Sequence, residues 1–164
     1  MARVERLLAA HPQGAAVKLD PFLQDITDEI LAASTPRDRT TLSHSHPKDG
    51  AVAGRQARSV GLIVGELVTN AINFAHPAGV WGRVGVSSRP GAAQGSQCIQ
   101  VQDDGVGLPE NFDPHVDGGA GLSAVRSLAE RLGAKLDFTD RGIGLSVRLD
   151  VPAPDQPPIR EAAK

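Results

Sequence analysis

Glu66, Asn70 and Asn73 break an otherwise apolar, helix-length run, SVGLIVGELVTNAINFAH, at residues 59–76. On a helix turning about 100° per residue, positions i, i+4 and i+7 fall within about 60° of one another. Val60, Ile63, Val64, Leu67, Val68, Ala71 and Phe74 occupy much of the remaining surface. The run therefore predicts a mostly buried helix with one polar stripe. Burying an unpaired carboxylate or amide costs about 2–7 kcal/mol, so the stripe must meet a polar partner or a wet, functional cavity. The plainer alternative is the exposed face of an amphipathic helix.

Two later stretches carry compatible chemistry. In QDDGVGLP, residues 102–109, Asp103 ends the apolar row Ile99 and Val101, with Gly105 and Gly107 following at offsets two and four. A carboxylate there either caps the turn or points into a cavity from the strand's end. Glycines at that spacing serve a tight turn or a loop that hugs a ligand. In GGAGLSAV, residues 118–125, Gly119 and Gly121 open an apolar-periodic helix. They leave backbone N–H groups unobstructed at the positive end of the helix dipole, a ready site for phosphate, or else form a flexible lead-in to a packed helix.

The elements that must position these groups read in order. Residues 2–10 suit a short helix that stops at His11-Pro12. A better helix opens at Asp20, as cap, with Pro21 in its first turn and Phe22, Leu23, Ile26, Ile30 and Leu31 facing inward. Residues 40–53 predict one or two short edge strands, with His44 and His46 on one face as surface histidines, since no third or fourth metal ligand follows. After the central helix, residues 83–88 and 98–103 alternate as two strands around a loop at 89–96. Residues 119–132 read as a helix with Leu122, Val125, Leu128, Ala129 and Leu132 buried, ended by Gly133. Residues 134–139 and 145–151 form a hairpin turning at Asp140-Arg141-Gly142. The proline-rich segment 153–164 predicts a disordered tail.

The totals bound the function. A length of 164 residues suits one core. A net charge of −2 gives no electrostatic case for nucleic acid or anionic membrane, and 3% aromatics offer few stacking platforms for bases. No apolar run reaches the ~18–20 residues that span a bilayer. One cysteine, Cys98, leaves no internal disulfide and fits a reducing cytoplasm, where it packs as a strand residue.

Taken together the three stretches carry a family resemblance. Glu66-Leu67-Val68-Thr69-Asn70-Ala71 resembles the asparagine box of the GHKL ATPases, Asp103-Asp104-Gly105-Val106-Gly107 their first glycine box, and Gly119-Ala120-Gly121-Leu122 their second. Gly142-Ile143-Gly144 looks like their end-of-domain glycine motif. Within that superfamily the chain is most similar to the catalytic, ATP-binding domain of bacterial sensor histidine kinases with a short lid. The resemblance covers residues 18–152, leaving residues 1–17 as the stub of a dimerisation helix. It implies the Bergerat ATP-binding fold, an α/β two-layer sandwich whose mixed, mainly antiparallel sheet has helices on one face.

Carried over by position, the resemblance implies that Asp103 accepts a hydrogen bond from the adenine amino group and that Asn70 holds Mg²⁺ against the phosphates. Glu66 would orient the reacting groups or act as general base. Asn73, Gly105, Gly107, Gly119, Gly121 and Leu122 would line the ATP site. The partners implied are a domain bearing a phosphoacceptor histidine and a response regulator. Three positions depart from the pattern: Asn73 stands where a basic residue is common, Leu145 where threonine is frequent, and residues 108–118, the lid, carry Glu110, Asp113 and Asp117 with no Lys or Arg. Phosphate charge must then be met by Mg²⁺, by amides, or by an arginine from elsewhere such as Arg126. Two alternatives share the fold: a free-standing serine kinase of the anti-sigma-factor type, and a nucleotide-free docking scaffold.

Overall fold

The computed structural model describes residues 15–34, 40–47, 49–76 and 80–154. The expected helix at residues 2–10, His11 and residues 155–164 of the expected tail lie outside them. Ala16 and Val17, expected to belong to the stub, instead form strand β1 (Ala16–Lys18), which pairs antiparallel with β3 (Ala51–Ala53). Val17 and Val52 are paired in this ribbon, and both are buried.

Helix α1 (Leu19–Ala33) begins one residue before the expected cap. The Leu19 N–H donates to the Gly50 carbonyl at 2.8 Å, and Lys18 takes the cap position. Asp20 therefore lies in the first turn, where its charge favours the helix dipole, and accepts from Gln24 at 2.9 Å. Leu19, Phe22, Leu23, Ile26 and Ile30 form the buried face.

Helix α2 (Gly54–Phe74) starts five residues before the apolar run. Its first turn is polar in sequence, yet Gln56 is buried and bonded at both ends of its amide. Its oxygen accepts from the Ala53 N–H at 3.2 Å and its nitrogen donates to the Pro152 carbonyl at 3.0 Å. Val60, Ile63, Val64, Leu67, Val68 and Ala71 are buried as expected, but Phe74 is 73% exposed. Helix α3 (Ala120–Leu132) ends at Gly133 in the left-handed region, φ 64°. The Ala134 N–H then reaches back to the Ala129 carbonyl at 2.9 Å, which satisfies an end carbonyl of the helix.

Five strands, β2 (Thr40–Ser45), β4 (Gly82–Pro90), β5 (Gln97–Asp103), β6 (Lys135–Asp140) and β7 (Leu145–Val151), form the main sheet in the order β2-β4-β5-β7-β6. Only the β2–β4 pair is parallel, so the sheet is mixed and mainly antiparallel. Val86, Val101, Val147 and Phe138 stand in one cross-strand row. With Val84, Ile99 and Leu149 they face the three helices and make the core. The opposite face is polar, with Ser87, Gln100, Arg148 and Asp137 in register and Arg148 paired to Asp137 and Asp150 at 3.2 Å each. This one-sided alternation is why the helices lie on one face. Cys98 is buried, as expected.

The histidine pair on β2 and the segment after it corrects the expectation of surface residues. Both rings are largely buried beside α1. His44 Nε2 lies 3.3 Å from Thr27 Oγ1 and 3.9 Å from Asp28, and His46 Nδ1 lies 2.9 Å from Ser88 Oγ. Burial holds the His46 pKa below its ordinary value, helped by neighbouring His44 and opposed by Asp20.

Candidate functional site

Between α2, the end of β5, the start of α3 and the segment 107–118 lies a cavity of about 610 Å³. Glu66, Asn70, Asn73, Asp103, Gly107, Gly119, Gly121 and Leu122 all line it, so eight of the residues singled out from sequence meet around one space. The polar stripe of α2 forms one wall, and Asn73 stands at its exposed rim.

Asp103 arrives by strand periodicity. It lies two residues beyond Val101 on β5 and so shares its inward face. Its Oδ1 accepts from the Gly105 N–H at 2.9 Å and from the Leu145 N–H at 3.2 Å. Two backbone donors on one oxygen fix the carboxylate, and among the described residues Oδ2 has no partner. It remains able to accept one more hydrogen bond.

At the other end, Gly119 caps α3 and a side chain added there would meet nothing within 4 Å. Among the described residues the Ala120, Gly121 and Leu122 N–H groups have no backbone acceptor, and they lie at the helix's positive end, which favours an anion. Glu66 packs against this same turn: a Cβ at Gly121 would lie 1.8 Å from Glu66 Oε1. A side chain at 121 would therefore displace the Glu66 carboxylate from this turn.

Gly105 does not line the cavity. A Cβ there would lie 2.0 Å from the Ala75 carbonyl oxygen, which the Val106 N–H also reaches at 2.8 Å. Its glycine serves close approach of two backbones, the end of α2 and the loop after Asp103. Asp104 reinforces this junction, since its Oδ1 accepts from the Arg83 N–H and pairs with His76 Nε2, both at 2.7 Å. Burial opposes the charge on Asp104, but the Arg83 N–H and His76 outweigh it and hold its pKa below the usual value. Gly144 is held in the same way: a Cβ there would lie 1.9 Å from the Asp103 carbonyl oxygen.

Arg126 does not face the cavity. Its guanidinium donates to the carbonyls of Pro114 and Asp117 at 2.9 and 2.7 Å and to that of Val116 at 3.4 Å. Among the described lining residues none is lysine or arginine. The acidic residues of the lid are also partly spent within it. Asp113 Oδ1 accepts from the His115 N–H and Asp117 Oδ2 from the Asp113 N–H, each at 2.9 Å. They cap a turn.

The apolar part of the site was not read from sequence. Val101, Val147, Phe138 and Leu145 form its floor, and Leu108, Pro109, Phe112 and Pro114 its lid side. The signal was present for the floor, because alternate residues of β5 and β7 must face the helices, but which row would be left uncovered depends on where α3 packs. A slot of this size with an apolar floor, a fixed carboxylate at one end and open amides at the other suits a flat heteroaromatic ring joined to an anion. The oxygen donor of Asn70 suits a hard cation shared with that anion. Among the described residues no group of three or more His, Cys, Asp or Glu could hold a metal unaided.

Known proteins share this fold. The blue-light-activated histidine kinase 2 of Erythrobacter litoralis (strain HTCC2594) is 38% identical over 101 residues, covering 61% of this chain and 29% of that protein. The chain thus spans under a third of that relative's length. The solved histidine kinase domain from the Erythrobacter litoralis EL346 blue-light-activated histidine kinase superposes with a TM-score of 0.80 at 29% identity, over 92% of this chain and 71% of that one. The Acinetobacter baumannii histidine kinase AdeS, with a TM-score of 0.66 at 15% identity over 94% of this chain and 77% of that one, shows the shared fold. Residues 55–155, from the first turn of α2 to a few residues past β7, match the family described as histidine kinase-, DNA gyrase B-, and HSP90-like ATPase. With the three motifs gathered on one cavity and this match over most of the chain, the protein belongs to the histidine kinase-, DNA gyrase B- and HSP90-like ATPase family.

Proposed function

We propose that the chain is the ATP-binding catalytic unit of a sensor histidine kinase, delivering the γ-phosphoryl group of Mg²⁺-ATP to a histidine on a dimerisation domain. A response regulator would then take the phosphoryl group. The observation that carries the reading is the meeting of Glu66, Asn70, Asp103 and the opening turn of α3 around one cavity. The lone buried Cys98 suits a reducing compartment, the cytoplasm.

Asp103, held by two amides, would accept from the adenine amino group. Guanine presents a carbonyl there, so the carboxylate would repel it. Val101, Leu145, Val147 and Phe138 would pack against the ring, and the amides of Gly119 to Leu122 would meet the phosphates. Asn70 would hold Mg²⁺ together with phosphate oxygens, the arrangement this cation favours. Bound there, the ion supplies neutralisation of phosphate charge. Glu66 would accept the proton or orient the acceptor. With Arg126 committed to the lid, charge neutralisation rests on the ion and on backbone amides.

Thermal melting with Mg²⁺-ATP tests the reading, with Mg²⁺-GTP as control. Ligand at a hundred times its Kd adds about 2.7 kcal/mol, which for a domain of this size raises Tm by about 5–10 °C. GTP should leave Tm unchanged. Asp103→Asn keeps an oxygen for the two amides but puts an N–H₂ toward the base, so its own Tm should hold while the ATP shift disappears. An unchanged ATP shift in Asp103→Asn would reject the adenine assignment.

A further inference from the structure

The three carbonyls gathered by Arg126 belong to a single helical turn inside the lid. The Val116 and Asp117 N–H groups both donate to the Asp113 carbonyl, at 3.1 and 2.7 Å. A turn that is not continued leaves its last carbonyls without intrahelical donors. Here those carbonyls, on Pro114, Val116 and Asp117, converge on one guanidinium from α3. Arginine suits this because its planar fork presents several N–H donors at fixed angles, whereas lysine presents a compact tetrahedral head. Gly118, at φ 102°, then makes the bend from the lid into α3, where a Cβ would strike the Leu122 side chain at 2.8 Å. On its far side the lid is also held by His115, whose ring meets Phe138 edge-on at a centroid distance of 5.4 Å.

We infer that Arg126 is a positioning residue that clamps the lid in its binding pose, rather than a ligand of phosphate. Phe112, Pro114 and Gly118, which line the cavity, lie within or next to the clamped turn. Their placement against the slot is set from α3 before any ligand arrives. This inference rests on the nucleotide reading for its effect on affinity, but the clamp itself is a property of the empty protein. It assigns a role to the lid's missing positive charge. A short lid held through its carbonyls from outside keeps one wall of the site formed without a basic residue of its own.

Two measurements on Arg126→Ala and Arg126→Lys test it. The first is amide hydrogen exchange of the full chain without nucleotide. Arg126→Ala should lower protection at Val116 and Asp117 by about tenfold or more, while Ile99 and Val101 in the sheet keep theirs. The second is titration with ATP, ADP and AMP in Mg²⁺. If the clamped pose falls to about a tenth of the population, Kd rises about tenfold for each nucleotide alike. Arg126→Lys should lie between the wild type and alanine in both assays. Unchanged exchange at Val116 and Asp117 overturns the clamp. A loss that grows from AMP to ATP overturns it in favour of direct phosphate contact. Failure of the wild type to bind any of the three rejects the nucleotide reading instead, and the exchange result still decides whether the clamp exists.

Discussion

Replacing Gly105 with alanine tests how the end of α2 is joined to the loop after Asp103. The added Cβ would lie 2.0 Å from the Ala75 oxygen, 2.5 Å from its carbonyl carbon and 2.6 Å from its Cβ. Backbone atoms cannot swing aside as a flexible side chain can. The two segments must separate by about 1 Å before the contact reaches 3.0 Å, the lower limit for real Cβ atoms. That movement stretches the 2.8 Å bond from the Val106 N–H to the Ala75 carbonyl beyond hydrogen-bond range. Overpacking of this kind costs about 1–3 kcal/mol, and the broken bond adds about 1 kcal/mol. Together they lower Tm by about 10 °C for a domain of this size. Because the same movement carries Asn70 and Asn73 away from Asp103, ATP affinity should fall as well. Calorimetry and nucleotide titration read both effects. Gly119→Ala is the control: its Cβ meets nothing within 4 Å and its φ of −77° suits any residue, so it loses only a modest capping preference. If Gly105→Ala melts within about 2 °C of Gly119→Ala, the junction argument is refuted.

Removing the carboxylate with Glu66→Ala should leave nucleotide affinity nearly unchanged and lower phosphotransfer by about 10²-fold or more, the usual contribution of a general base. A variant that transfers phosphate at the wild-type rate would remove Glu66 from the chemistry. His46 makes stability depend on pH in a stated direction. Its folded pKa lies below that of an unfolded histidine, near about 6.5, so in the window between the two values the unfolded chain binds the extra proton. Stability is therefore full above that window and is lost as pH falls through it. Denaturation in urea across pH 7 to 5 should show this decline, and His46→Gln should flatten it. Asp104, with its lowered pKa, adds a second decline only below the ordinary carboxylate range. An equal slope in wild type and His46→Gln would show that His46 is not the group responsible.

Some features needed nothing beyond short stretches of residues. The polar stripe on α2, the inward row ending at Asp103, the Gly133 stop and the β6–β7 hairpin each follow from a period or a turn residue inside one element. Resemblance added the order of the boxes, and hence the fold. Element starts were less legible. The first turn of α2 is polar, and it is tied down by Gln56, whose amide bonds to Pro152, nearly a hundred residues on in the chain. His44 and His46 looked like surface residues because nothing in their own stretch shows that α1, the preceding helix, packs over them through Thr27 and Asp28.

What the sequence by itself determined is which residue types stand at which phase of each helix and strand; that a carboxylate, two amides and a glycine-rich helix start would share one site was implied by the family resemblance. Tertiary structure alone decided what each of them touches. It turned Gly105 toward a backbone carbonyl rather than the cavity, set Gly121 against Glu66, and committed Arg126 to the lid instead of the phosphates. The physical reason is range. Periodicity and turn chemistry act over a few residues and survive in any context. A contact between the ends of two elements depends on how the whole core packs, and no local pattern records it.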